Sequence, residues 1–187
     1  DMAILAGDGL LHHAMETMAD ACMKNPTTHT TGAMKAIAHG AGIFGMLTGQ
    51  VVDVFMEGKP LDQDTLDFIH MNKTAAMIRG ALEAGAVCGG ADQKTVAEFA
   101  LAGEKIGVAF QILDDILDVT STFEELGKPI RSDEKNQKTT FVTLFGIDKS
   151  REMAETLSRE AIEIWEEQGE SCAFLLELTK YLLNRTY

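Results

Sequence analysis

Asp114, Asp115 and Asp118 lie inside an apolar run, FQILDDILDV at residues 110 to 119. In a helix, i, i+4 and i, i+3 partners fall on neighbouring turns, so the spacing predicts three carboxylates leaning toward one face. Like charges repel there, and desolvating them among Ile112, Leu113, Ile116 and Leu117 is costly unless a counter-ion stands opposite. Taken alone, D-D-x-x-D is equally compatible with an exposed acidic face. The flanking apolar residues occupy the other faces, however, which leaves the acidic one to line a cavity. All-oxygen donors suit a hard cation such as Mg2+, which keeps several waters and shares its carboxylates with substrate phosphates.

Four cations follow in one loop: Lys128, Arg131, Lys135 and Lys138. Carboxylates holding Mg2+ beside lysines that act as point charges are an arrangement that grips a diphosphate, whose charge grows as it departs. A solvated charged loop is the plain alternative. Lys73 and Thr74 interrupt another apolar stretch, FIHMNKTAAMIRG; a lone helical lysine ordinarily reaches out to solvent along its alkyl stem. Gln50, Asp53 and Glu57 share a helical face, and Gln111 stands one turn before Asp115. Singly each is weak, but together they describe polar groups converging on an otherwise apolar pocket.

Those residues need helices to carry them. Residues 1 to about 24 read as one helix, stopped by Asn25 and Pro26. A second helical stretch runs from about 31 to 56, a third from Thr65 to about Gly89, and a long one from about Thr95 to Thr120. Residues 121 to 137 read as polar loop. KTTFVTLFG then predicts a short buried helix, followed by helices over Asp148 to Gln168 and Ser171 to about Leu183. No alternating strand pattern stands out. Gly40-Ala41-Gly42-Ile43-Phe44-Gly45 matches a dinucleotide-binding G-x-G-x-x-G, but no strand precedes it, so we read these glycines as sites of close helix approach. The five histidines lack metal-ligand spacing and are read as structural, and the ten methionines as core filler.

Composition agrees with an all-α domain: 45% of the 187 residues are apolar and only three are proline. A net charge of −13 opposes the counterion release that drives nucleic-acid binding. Three cysteines without C-x-x-C spacing suggest neither a disulfide framework nor a zinc site, and a reducing cytoplasm is the expected setting. No apolar run reaches the roughly 20 residues needed to span a bilayer. Asp1 opens directly into a helical pattern with no start signal, so we expect the natural beginning to lie upstream.

With these residues assembled, the chain resembles the trans-type polyprenyl diphosphate synthases, the farnesyl and geranylgeranyl diphosphate synthase family. The resemblance rests on AGDGLL at 6 to 11, GQVVDV at 49 to 54, KT at 73 and 74, FQILDDILDV, and GKPIRSDEKNQKTTFVTLFG at 127 to 146. It implies an all-α helical bundle around a deep central cavity, of which residues 1–187 form the C-terminal part, assembled as a homodimer. The implied reaction joins isopentenyl diphosphate to an allylic diphosphate. Asp114, Asp115 and Asp118 would be the second aspartate-rich motif that binds Mg2+, with Asp114 the foremost ligand. Lys73, Lys128 and Lys138 match cations that hold the allylic diphosphate, Thr74 and Gln111 would flank the developing carbocation, and Gln50 and Asp53 would stand on the cavity wall.

The family's first aspartate-rich motif and its arginine pair match no segment here, so these residues alone are expected to be inactive. Arg131 stands where the family commonly has glycine, and we read it as a surface residue. Compact loops favour a farnesyl product. Two competing readings remain, a non-catalytic subunit of the same fold and a class I terpene cyclase.

Overall fold

The computed structural model describes residues 1–121 and 138–183, and over them the chain is helical without strands. Helix α1, Met2–Lys24, stops at Asn25 and Pro26 as expected. Helix α2, Thr28–Ala41, opens with a reciprocal cap in which the Thr27 hydroxyl accepts from the Thr30 amide and the Thr30 hydroxyl accepts from the Thr27 amide. Helix α3 covers Met46–Phe55.

The single helix expected from about 31 to 56 is therefore two, broken at Gly42 to Gly45. The cause is steric: a Cβ at Gly45 would strike the Gly40 carbonyl, so the chain turns there in a way only glycine allows. Gly40 does serve close approach, since a Cβ on it would stand 2.5 Å from the Ala76 carbonyl oxygen.

Helix α4, Gln63–His70, is capped by Asp62, whose carboxylate accepts from the Thr65 amide at 2.9 Å. It continues through a single π turn, Met71–Ala75, into α5, Ala76–Cys88. Helix α6, Gln93–Thr120, starts with the Thr95 amide bonded to Asp92 at 2.8 Å. The short helix α7 is Phe141–Phe145, α8 is Ile147–Gln168, and a 3₁₀ turn, Gly169–Cys172, leads into α9, Ala173–Leu183. Apart from Ser121, the loop expected over residues 121 to 137 lies outside the described residues.

Helix α6 runs between α5 and α8, and α2 lies along the far side of α5. One core gathers Leu66, Ile112, Leu113, Ile116 and Phe141 beneath the second half of α6; another gathers Ile106, Ala161 and Trp165 under its middle. Two glycines on α6 set how near α5 comes. A Cβ at Gly103 would lie 2.6 Å from the Arg79 Cα, and one at Gly107 would strike Ala75. That second contact presses α6 onto the π turn, one helical turn before Gln111.

Candidate active site

The π turn is where the site begins. A π turn widens the helix by one residue locally and is often found at functional positions. Here it carries Lys73 and Thr74. Gly49 of α3 lies against the Lys73 backbone so closely that any Cβ would strike the amide nitrogen. Asp53, one turn further along α3, is thereby brought to Lys73, whose Nζ donates to Asp53 Oδ2 at 2.5 Å. Lys138, just before α7, approaches the same oxygen at 3.7 Å. Burial pushes the Asp53 carboxyl up, but the hydrogen bond from Lys73 and the charges of Lys138 and Lys73 outweigh it and hold the group below the usual carboxylate range. Gln50 is half-buried one turn before Asp53 and is not part of the same pocket's wall.

Thr74 faces α6, its hydroxyl 3.1 Å from Gln111 Oε1. Gln111 Nε2 in turn lies 3.4 Å from Asp115 Oδ1, and Asp115 Oδ2 accepts from the Phe141 backbone amide at 3.1 Å. One hydrogen-bonded chain thus ties the π turn, α6 and the start of α7. Asp114 and Asp115 both stand on the wall of one pocket, Asp114 half-buried and Asp115 buried with its carboxylate turned to α7, while Asp118, one turn on, is buried and is not among that pocket's wall residues. Lys128, with Arg131 and Lys135, lies outside the described residues.

These groups surround a pocket of about 270 Å³ walled by Asp53, Lys73, Gln111, Asp114, Asp115 and Lys138 together with Leu61, Leu66 and Ile69. Among the described residues its charges are Lys59, Lys73 and Lys138 against Asp53, Glu57, Asp114 and Asp115. Among the described residues the carboxylates thus outnumber the cations by one, a balance that a bound cation would reverse for an anionic ligand. The donor chemistry fits Mg2+ in that hard carboxylate oxygens of Asp53, Glu57, Asp114 and Asp115 line the pocket; among the described residues no three His, Cys, Asp or Glu side chains stand together as a ready-made metal site. An ion that takes one or two carboxylates plus phosphate oxygens and water wants that kind of wall.

Two pocket residues escaped the sequence reading. Lys59 donates to the Phe55 carbonyl at 2.7 Å and lies over the Phe55 ring at 3.9 Å, closing the end of α3. His70, read as structural, forms part of the wall, 7% exposed, its ring 5.1 Å from that of Phe141. Its Nδ1 is buried without a hydrogen-bond partner among the described residues. Burial, reinforced by Lys73 and Lys138 and opposed by Asp53, pushes its pKa down to about 4. Its place one turn before Lys73 was the available signal.

The polyprenyl synthetase family model matches residues 1–178. The chain is 41% identical over 187 residues to a chloroplastic geranylgeranyl pyrophosphate synthase of Catharanthus roseus, covering 99% of this chain and 52% of that protein. It is 38% identical to a geranylgeranyl diphosphate synthase of Cyanophora paradoxa, covering 99% of this chain and 62% of that one. A crystal structure of a geranyltransferase from Helicobacter pylori, complexed with magnesium and isoprenyl diphosphate, superposes with a TM-score of 0.81 at 33% identity, over 97% of this chain and 59% of that one. The chain therefore spans between half and two thirds of the length of these relatives.

Proposed function

This chain belongs to the polyprenyl synthetase family, and from that premise we propose that its pocket is the allylic diphosphate site of a prenyltransferase. The observation that carries the reading is the convergence of Lys73 and Lys138 on Asp53, beside Asp114 and the Thr74–Gln111 pair. The two lysines bind the diphosphate, and Asp53 holds them in place before it arrives. The allylic carbon–oxygen bond breaks, its electron pair leaving with diphosphate. The double bond of isopentenyl diphosphate attacks the allylic carbon, and a proton passes to the released diphosphate. Gln111 and Thr74 face the electron-poor carbon, and the apolar wall keeps out water that would quench it.

Mg2+, when bound, would neutralise the charge that builds on the departing diphosphate. Asp114 on the pocket wall would hold it. The product belongs to the farnesyl or geranylgeranyl class. The homodimer expected from the resemblance belongs to the same reading.

The protein expressed from its complete gene, incubated with Mg2+, labelled isopentenyl diphosphate and dimethylallyl, geranyl or farnesyl diphosphate, should release pyrophosphate and one prenyl product. Absence of product with every primer would overturn this reading in favour of a non-catalytic subunit. The 187 residues by themselves hold a single D-D-x-x-D, and we expect no turnover from them.

A further inference from the structure

The hydrogen bonds joining Thr74, Gln111, Asp115 and Phe141 have a direction, and Asp115 sets it. A carboxylate accepts and never donates. Its Oδ2 already takes the Phe141 amide, and its Oδ1 faces the amide end of Gln111. The group that Gln111 turns toward Asp115 must then be its NH2, which sends the carbonyl oxygen to Thr74. A hydroxyl donates or accepts with equal ease, so Thr74 by itself makes no such choice. Facing a carbonyl, it spends its one proton there and keeps only lone pairs for a third partner. A flipped Gln111 would instead set two acceptors against each other at Asp115 and turn N–H groups toward Thr74.

We propose that Asp115 is a positioning residue that fixes the Gln111 carbonyl oxygen and the Thr74 lone pairs as the groups facing the electron-poor allylic carbon. This rests on the prenyltransferase reading given above. Oxygen lone pairs stabilise positive charge developing in a water-excluded site, whereas the positive end of an NH2 would oppose it. The same carboxylate tethers the first residue of α7, three positions beyond Lys138, so one side chain orders both the carbocation side and the diphosphate side of the pocket. Asp114 and Asp115, neighbours in sequence and both on the pocket wall, thus divide the work: Asp114 is left to metal and phosphate, and Asp115 orders the protein groups.

Asp115→Asn tests this with little change of size. The new side-chain carbonyl still accepts from Phe141, but its NH2 now faces Gln111 and forces the amide to flip. The expected result is a kcat lowered about hundredfold, an unchanged KM for the allylic diphosphate, and unchanged Mg2+-dependent binding of inorganic pyrophosphate by calorimetry. Asp114→Asn should lose that binding. In a Gln111→Ala background, Asp115→Asn should add no further loss, because no amide remains to be oriented. The Gln111 side-chain NH2 resonances, assigned by their absence in Gln111→Ala, should shift in Asp115→Asn. Wild-type turnover in Asp115→Asn, loss of pyrophosphate binding equal to that of Asp114→Asn, or an undiminished additional loss in the Gln111→Ala background would each overturn the proposal while leaving the prenyltransferase reading in place. A wild-type protein that makes no prenyl product would overturn both.

Discussion

In the first half of α6, Phe99 meets the Trp165 ring edge to face at 5.0 Å, and the Trp165 Nε1–H donates to Thr179 Oγ1 at 3.0 Å. Thr179 passes its own proton to the Leu175 carbonyl at 2.8 Å, so the buried polar atoms of this core are answered within it. At the second half, Gln111 and Asp115 reach across to the π turn and to α7, two lysines share Asp53, and His70 Nδ1, on the neighbouring α4, has no hydrogen-bond partner among the described residues. Leaving a buried polar atom unpaired costs about 1–3 kcal/mol. The core beside the first half is satisfied within itself, while the pocket beside the second half keeps one buried polar atom that is not. That contrast marks the second half as the place where stability has been given up for chemistry.

Four changes would break or sharpen the contrast. Trp165→Ala removes the centre of the self-contained core and should lower stability by about 3–5 kcal/mol, read by urea unfolding, while the fraction still folded keeps its turnover. Lys73→Ala should do the reverse, lowering turnover about 10²–10³-fold with little change in the urea midpoint. If both substitutions damage stability alike, the two halves are not distinct.

His70 gives the third. Its folded pKa, pushed down to about 4 from an ordinary value of 6.5, means that the unfolded chain takes up a proton that the folded chain refuses between those two pH values. Above pH about 6.5 neither state carries the proton and His70 makes no difference. As pH falls through that window, stability should drop by about 3 kcal/mol, then level off below pH about 4. Asp53, Lys73 and Lys138 face the same ring but remain in a His70→Gln variant. Denaturation curves of wild type and His70→Gln across that range should therefore differ by this slope alone.

The smallest effect belongs to Thr179→Val, which leaves the Trp165 indole N–H without its acceptor. Stability should fall by about 1–2 kcal/mol and turnover should not change. A turnover loss there would mean that the two halves communicate.

Much of this architecture was legible in the residues. Pro26 ends α1 because proline acts locally, whereas the Asp62 and Asp92 caps open α4 and α6 two residues before the starts read at Thr65 and Thr95. The break at Gly42 to Gly45 was read as close approach, since a glycine that relieves a neighbour and a glycine that ends a helix look alike until the collision at Gly45 is known. The π turn at Met71–Ala75 leaves no periodic trace over so few residues. In the site, Lys73, Asp53, Thr74, Gln111 and Lys138 could be named from type and spacing. Their partners could not: that Asp53 sits between two lysines depends on Gly49 meeting the Lys73 backbone, and that Asp115 serves α7 depends on a contact with Phe141, 26 residues on.

The most direct measurement is a calorimetric titration of the protein from its complete gene with inorganic pyrophosphate, with and without Mg2+, for wild type, Lys73→Ala and Thr179→Val. The predicted result is binding that requires Mg2+, is weakened in Lys73→Ala, and is unaltered in Thr179→Val. Binding that ignores Mg2+, or that survives intact in Lys73→Ala, would contradict the assignment of the second half of α6 as a metal-assisted diphosphate site.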